Sequence, residues 1–315
     1  MVPRYHLPDM PRNFLSIDDV SPGELAEVLD LSAKVKAAPS DYAGRLAGLS
    51  ITVIFEKPST RTRVSFEVGI AELGAHPVIL SSSELQLGRG ETIEDTGRVL
   101  SRYVDAIVLR TFGQERLESL ARTATVPIIN ALSDFEHPCQ CLADLLTVYE
   151  QKGRLAGLTL AYVGDGNNVA HSLLLGGVAS GMHVRVATPL GFEPIPQVVQ
   201  RAQEIGEGTG GSATVTNDPD EAFAGADVLY TDVWASMGQE EEAAERTLVF
   251  QSYRIDQAAV DRAAPDSIAL HCLPAHRGQE ITDEVIDGPH SVVWDQAENR
   301  LHTQKALLLW LLERV

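Results

Sequence analysis

The chain has 315 residues, with 44 acidic side chains against 25 basic ones and a net charge of −19. Nucleic-acid binding calls for a dense basic surface, so that class is set aside. The longest apolar run, residues 306–312, is seven residues, far short of the roughly 20 that a membrane span needs, and no membrane role is expected.

The N-terminus, M-V-P-R-Y-H-L-P-D-M-P-R, has no apolar stretch of the kind a secretory leader carries. Three cysteines, Cys139, Cys141 and Cys272, are too few and too oddly numbered for a disulfide framework. A reducing, cytoplasmic location is expected. Along the chain, short β-branched runs alternate with longer amphipathic segments. In the first half the pattern predicts strands over 50–55, 77–80, 106–109 and 126–130, and helices over 62–73, 91–103, 114–124 and 138–152. In the second half it predicts strands over 159–163, 184–187, 228–231, 268–271 and 291–293. The stretch 206–212, rich in glycine, reads as an exposed loop, and 300–314 as a last helix. Such alternation implies an α/β protein with two doubly wound parallel-sheet domains of similar size. The expected division is 1–145 and 146–297, with the final helix, 298–315, packing back onto the first domain.

Ligands of open α/β sheets bind beyond the carboxyl ends of the strands, so the residues after each strand matter most. After Phe55 comes E-K-P-S-T-R-T-R, with Ser59 and Thr60 where a helix cap belongs. A helix start with hydroxyls and a guanidinium suits a phosphate. Arg61 is expected at that phosphate and Arg63, two residues on, in a structural ion pair. Arg110 ends its strand, His137 precedes a helix that opens on Pro138, and Gln140 lies in its first turn. In a parallel sheet these residues converge with Ser59–Thr62 on one crevice.

The segment H-P-C-Q-C lacks a second ligand pair at finger-like spacing, and Cys139 and Cys141 point apart on a helix. His271 and Cys272 alternate across a strand and are therefore expected not to share a metal. In the second half, G-D-G-N-N (Gly164 to Asn168) resembles the start of a dinucleotide loop, yet Val169 stands where the third glycine belongs. The next strand also lacks the acid that would hold a ribose. No metal and no cofactor are expected. Asn167 and Asn168 at the helix start suit a small polar ligand or a cap. The last two strand ends are D-V-W-A-S-M-G from Asp232 and H-C-L-P-A-H-R-G from His271.

These four motifs, in this order and over nearly the whole chain, resemble those of the ornithine carbamoyltransferase family. S-T-R-T-R and H-P-C-Q are similar to the carbamoyl-phosphate signatures of carbamoyltransferases generally, and D-V-W-A-S-M-G and H-C-L-P to those of the ornithine branch. The resemblance implies carbamoyl transfer from carbamoyl phosphate to L-ornithine, with no covalent enzyme intermediate. Residue by residue, it implies that Ser59, Thr60, Arg61 and Thr62 hold the phosphate. Arg110 and His137 would bind the carbonyl oxygen, Gln140 the amide, and Arg300 would close on carbamoyl phosphate. Gln86 would reach a neighbouring subunit's site, implying a homotrimer or a multiple of trimers. Asn168, Asp232, Ser236 and Met237 would hold the α-amino and α-carboxylate groups of ornithine, with Cys272 and Leu273 meeting its δ-amine and the carbamoyl group of carbamoyl phosphate. Acceptors weighed beside ornithine are putrescine, an acylated ornithine and aspartate.

Overall fold

A computed structural model of the chain describes residues 11–81, 90–235 and 243–313. The first half opens with α1 (Pro22–Ala37), then β1 (Ser50–Phe55), α2 (Thr60–Glu72), β2 (His76–Ser81), α3 (Ile93–Leu100), β3 (Ala106–Arg110), α4 (Gln114–Thr123), β4 (Ile128–Leu132) and α5 (Pro138–Lys152). The second continues with β5 (Thr159–Val163), α6 (Asn168–Ala179), β6 (His183–Ala187), α7 (Pro196–Thr209), β7 (Ser212–Thr216), α8 (Pro219–Phe223) and β8 (Val228–Thr231). It closes with α9 (Ala243–Phe250), α10 (Gln257–Arg262), β9 (Ile268–His271), α11 (Asp283–Ile286) and α12 (Val293–Leu312).

All strand pairs are parallel, in two sheets of order β2-β1-β3-β4 and β7-β6-β5-β8-β9. Helices cover both faces, so the central strands are buried on both sides, and S-I-T-V-I-F and A-I-V-L-R read as near-continuous apolar runs for that reason. Helix ends follow local chemistry. Ser21 and Glu24 close a reciprocal cap at the start of α1. Pro138 opens α5, which ends at Gly153 in the left-handed region at φ 72°. Among the described residues no helix is long and apolar enough to cross a membrane.

Two expectations are corrected. Residues 206–209 are the end of α7, and 212 opens the edge strand β7, so no long loop exists there. The glycines serve close approach: a Cβ on Gly206 would stand 2.6 Å from the carbonyl oxygen of Gly211, and one on Gly211 would stand 2.7 Å from those of Met182 and Val178. Residues 291–293 form no strand. Ser291 makes a single bridge to Ala269, and α12 begins at Val293, seven residues earlier than the sequence pattern placed it. The early turns of α12 carry charged and amide side chains, which hid its start. The helix lies against α1, α2 and α5, and Gly69 on α2 lets it approach, since a Cβ there would meet Lys305 and Leu301 within 3.3 Å.

In each sheet the chain reverses its direction of growth once, between β1 and β3 and between β5 and β8. Crevices open at the carboxyl ends of strands at such switch points. Both switch points are flanked by the loops that the sequence singled out.

Candidate active site

At the first switch point, β1 leads through 56–59 into α2. Ser59 has extended backbone and caps the helix, its Oγ accepting from the Thr62 N–H at 3.3 Å. Ser59 Oγ also donates to Thr62 Oγ1 at 3.0 Å, and Arg300 Nη2 donates to the same oxygen at 2.8 Å. With both lone pairs of that hydroxyl taken, the Thr62 proton is left to be donated outward. Thr60 and Arg61 begin the helix, where backbone N–H groups lack intrahelical acceptors. Arg63 turns away to Glu67 at 3.5 Å, the ion pair expected of it, while Arg61 makes no ion pair among the described residues.

Arg110 ends β3 and is 7% exposed, and Arg300 comes in from α12 at 4%. Burial, then Arg300 and Arg61, bring the Arg110 guanidinium down from 12.5 to about 10. Burial and Arg61 lower Arg300 in turn. Arg300 has a hydroxyl as its hydrogen-bond partner, and its Nε has none. A pocket holding several guanidinium groups at such cost demands an anion.

His137 stands at the N-cap position of α5 without a side-chain capping bond and is 6% exposed. Burial, then Arg300 and Arg110, depress its pKa well below the usual histidine value, so the ring is neutral. Its Nδ1 is buried without a partner, and its backbone N–H donates to Ser172 Oγ at 2.9 Å. Gln140, in the first turn of α5, donates from Nε2 to Asp144 Oδ1 at 2.8 Å, and its Oε1 has no partner.

At the second switch point, Gly164 (φ 140°) and Gly166 let the loop after β5 pass close to 192–194. Asn167 is the cap of α6, its Oδ1 accepting from Val169 N at 2.9 Å and Ala170 N at 3.2 Å. Its Nδ2 donates to Asp232 Oδ2 at 2.8 Å. Asn168 instead reaches across to the first half and donates to the Ser133 carbonyl at 2.6 Å. Asp232, at the end of β8, takes hydrogen bonds on Oδ1 from Cys272 Sγ at 2.8 Å and from its neighbour Val233 N at 2.7 Å. Burial and Asp232 push the Cys272 thiol well above its ordinary value, so it is a protonated donor.

His271 and Cys272 do not point apart as a continuing strand would require. The strand ends at His271 and Leu273 turns into the left-handed region at φ 58°, so Asp232, His271 and Cys272 offer ligand atoms all within 4.8 Å of one another. The ring is nonetheless committed. His271 Nδ1 accepts from the Leu273 N–H at 2.8 Å, which leaves the proton on Nε2 for buried Glu280 at 3.1 Å. No lone pair remains on that ring for a metal. Cys139 and Cys141 do diverge, their thiols meeting the Asn130 carbonyl at 3.3 Å and the Ser172 carbonyl at 3.1 Å.

Gln86, Ser236 and Met237 lie outside the described residues. Sequence reasoning missed several residues that shape the site. Lys57 pairs with Asp134 over the Phe112 ring. Arg246 joins the two loops of the second half, donating to Asp165 at 2.7 Å and to the Trp234 carbonyl at 2.9 Å. Glu136 is fully buried beneath His137, accepting from Ser16 Oγ, from Ile17 N at 3.1 Å and from Ser172 Oγ at 3.0 Å. Burial lifts its carboxyl to about 7, as it does that of Asp144. Adjacency to His137 and the i, i+4 spacing from Gln140 were the available signals for these two acids.

Two family models match the chain. Residues 12–150 match the carbamoyl-P binding domain of aspartate/ornithine carbamoyltransferases, and residues 156–311 match their Asp/Orn binding domain. The chain is 63% identical over 305 residues to an ornithine carbamoyltransferase of Parafrankia sp. (strain EAN1pec), covering 96% of each chain. It is 62% identical over 306 residues to that of Acidothermus cellulolyticus, covering 96% of this chain and 97% of the other. Among solved structures it resembles ornithine carbamoyltransferase from Pyrococcus furiosus, with a TM-score of 0.94 and 51% identity over 97% of this chain and 98% of that one.

Proposed function

The chain belongs to the aspartate/ornithine carbamoyltransferase family, and from that premise we propose that it transfers the carbamoyl group of carbamoyl phosphate to the δ-amine of L-ornithine, releasing L-citrulline and phosphate. What carries this reading is the pairing of an anion-demanding arginine pocket at one switch point with a carboxylate at the other, Asp232, held by Asn167 and Cys272. A double-charged acyl phosphate suits the first, and an α-ammonium group suits the second.

Carbamoyl phosphate is already activated, so the protein's work is positioning and stabilisation of the tetrahedral oxyanion. Ser59, Thr60, Arg61 and Thr62 hold the phosphate, with Arg300 closing over it. Arg110, neutral His137 and the outward proton of Thr62 donate to the carbonyl oxygen, and Gln140 accepts from the amide. Neutrality is useful in His137, since an N–H donor stabilises the oxyanion without adding another cation beside two arginines. Asn168, Asp232, Ser236 and Met237 hold the amino-acid end of ornithine, and Cys272 and Leu273 face its δ-amine.

Deprotonating an amine of lysine-like pKa, near 10.4, at pH 7.4 costs about 4 kcal/mol. A thiol pushed upward by burial and Asp232 is no base at that pH, so the site takes up the neutral amine and Asp232 anchors the α-ammonium. Gln86 reaching a neighbouring site makes the active unit a homotrimer or a multiple of trimers. The reaction belongs to arginine biosynthesis in the cytoplasm.

The test is citrulline formation by the purified protein from carbamoyl phosphate and either ornithine, putrescine, N-acetylornithine or aspartate, with Arg61→Ala as control. Turnover with ornithine alone, lost in the control, is the expected result. Turnover with another amine refutes the acceptor half, and silence with all four refutes the whole reading. Light scattering at assay concentration tests the trimer.

A further inference from the structure

Asp144 lies one turn beyond Gln140 on α5 and is 1% exposed. Its Oδ1 accepts from Gln140 Nε2 at 2.8 Å and from Gln296 Nε2 at 2.7 Å, and its Oδ2 accepts from the Tyr230 hydroxyl at 3.1 Å. Whether or not the carboxyl holds a proton, Oδ1 can only accept, because it faces two amide nitrogens and a proton would sit on Oδ2, toward the Tyr230 hydroxyl. The end of the Gln140 amide that faces it must therefore be the nitrogen. A free glutamine amide can turn through 180° with no change of shape, so its orientation is set entirely by its partners. Here the partner is Asp144, and the consequence is that Oε1 is the atom left over. That oxygen is buried with no hydrogen-bond partner, a state that calls for a donor.

Carbamoyl phosphate, the donor substrate proposed for this site, brings such a donor in its amide NH2. Acetyl phosphate has the same carbonyl and phosphate groups but a methyl in that place. We propose that Asp144 is a positioning residue that determines specificity: by fixing the Gln140 amide, it presents Oε1 to the acyl group and makes the site choose an amide over a methyl. The assignment rests on carbamoyl phosphate being the substrate. Gln296 shares the same Asp144 oxygen without touching the Gln140 orientation, so it serves as a structural control.

The experiment compares the KM for carbamoyl phosphate with the inhibition constant of acetyl phosphate against it. The proteins are wild type, Asp144→Leu, Asp144→Ser, the conservative variant Asp144→Asn and Gln296→Leu. Wild type should favour the carbamoyl compound at least tenfold. Asp144→Leu and Asp144→Ser should each lose about tenfold of that ratio, the magnitude of one hydrogen bond in a buried site, whereas Asp144→Asn, whose Oδ1 can accept from both glutamines while its Nδ2 faces the Tyr230 hydroxyl, should keep most of it. The acetyl constant should stay within threefold. Gln296→Leu should keep the ratio. A ratio within twofold of wild type in Asp144→Leu or Asp144→Ser overturns the proposal, as does an equal loss in Gln296→Leu. Should Asp144→Leu not fold, Asp144→Ser carries the same test. A wild type that makes no citrulline refutes the substrate reading; a wild type that makes it with an unmoved ratio refutes the role of Asp144 alone.

Discussion

Replacing Arg300 by methionine should separate stability from function. The side chain is 4% exposed and hydrogen-bonds to Thr62 at 2.8 Å. Arg110 alone falls from 12.5 to about 10, which corresponds to ~3 kcal/mol against its charged form, with burial the largest cause and Arg300 the next. Removing Arg300 lifts that share, on the order of 1 kcal/mol, together with the burial cost of Arg300 itself. Against this stands one lost hydrogen bond of about 1 kcal/mol, and Thr62 keeps its bond from Ser59. The sign is fixed by the direction of the shift: a base whose folded pKa lies below its unfolded value opposes folding while charged, and it stays charged at all pH values below about 10. The ligand-free variant should therefore melt at the wild-type temperature or slightly above it. For a chain of this length, 1 kcal/mol is worth roughly 1.5 °C. Phosphate or carbamoyl phosphate at a hundred times its Kd adds about 2.7 kcal/mol to wild type, or ~4 °C, and should add nothing to the variant. Its kcat/KM should fall by about 10²–10³. Calorimetry with and without phosphate reads both effects. A ligand-free variant melting more than about 5 °C below wild type would refute the reasoning, because Arg300 would then be a strut of the fold.

Burial pushes Cys139 up to about 12 and Cys141 and Cys272 well above the ordinary thiol value. Iodoacetamide at pH 8 should leave the native mass unchanged and label all three thiols in urea, and rapid native labelling would contradict this. Glu136 is lifted to about 7, so the folded state holds a proton that the unfolded chain has released above 4.5. The stability this lends is full at low pH and is lost as pH rises through 7, by about 1.4 kcal/mol between pH 6 and 8. Urea unfolding of Glu136→Gln should show the pH slope reduced by that amount; an unchanged slope rules the assignment out. In Gly166→Ala the new Cβ would stand 2.3 Å from the Pro194 nitrogen and 2.5 Å from the Glu193 carbonyl carbon. Displacement of that loop should raise the ornithine KM about tenfold or more and leave the carbamoyl phosphate KM near wild type, and equal changes in both would show that the two loops are not independent.

Central strands were legible in the sequence because burial on both faces leaves a near-continuous apolar run, as at β1, β3, β5 and β8. The edge strand β7 was not, since S-A-T-V-T is half exposed and follows a helix whose last turn is rich in glycine. The start of α12 was hidden because its first turns bury amides and an arginine, Gln296, Asn299 and Arg300, in place of an apolar stripe. Of the candidate site, the cap at Ser59, the strand-end arginine and the carboxylate at Asp232 could be read from position alone. What could not be read is the order of strands, which is tertiary and sets which loops meet. The relation of His271 to Cys272 failed for a local reason: alternation holds only while the strand continues, and here it stops between them. Asn167 as the partner of Asp232, and Arg246 as the clamp across two loops, depend on contacts 65 and 81 residues apart in the chain, beyond any spacing rule.

The docking of α12 has a consequence for biosynthesis. Its residues 306–311 are buried against helices laid down before the second sheet exists, and Lys305, 1% exposed, reaches Glu72 at 2.6 Å. On the ribosome the first half is thus begun early and completed last, with the faces of α1, α2 and α5 that α12 covers left bare while some 140 further residues are made. A nonsense mutation anywhere between β5 and α12 would therefore damage the half of the protein that had already been translated. The converse is practical: residues 12–150 expressed alone should precipitate, and a synthetic peptide spanning 293–312 should keep them in solution.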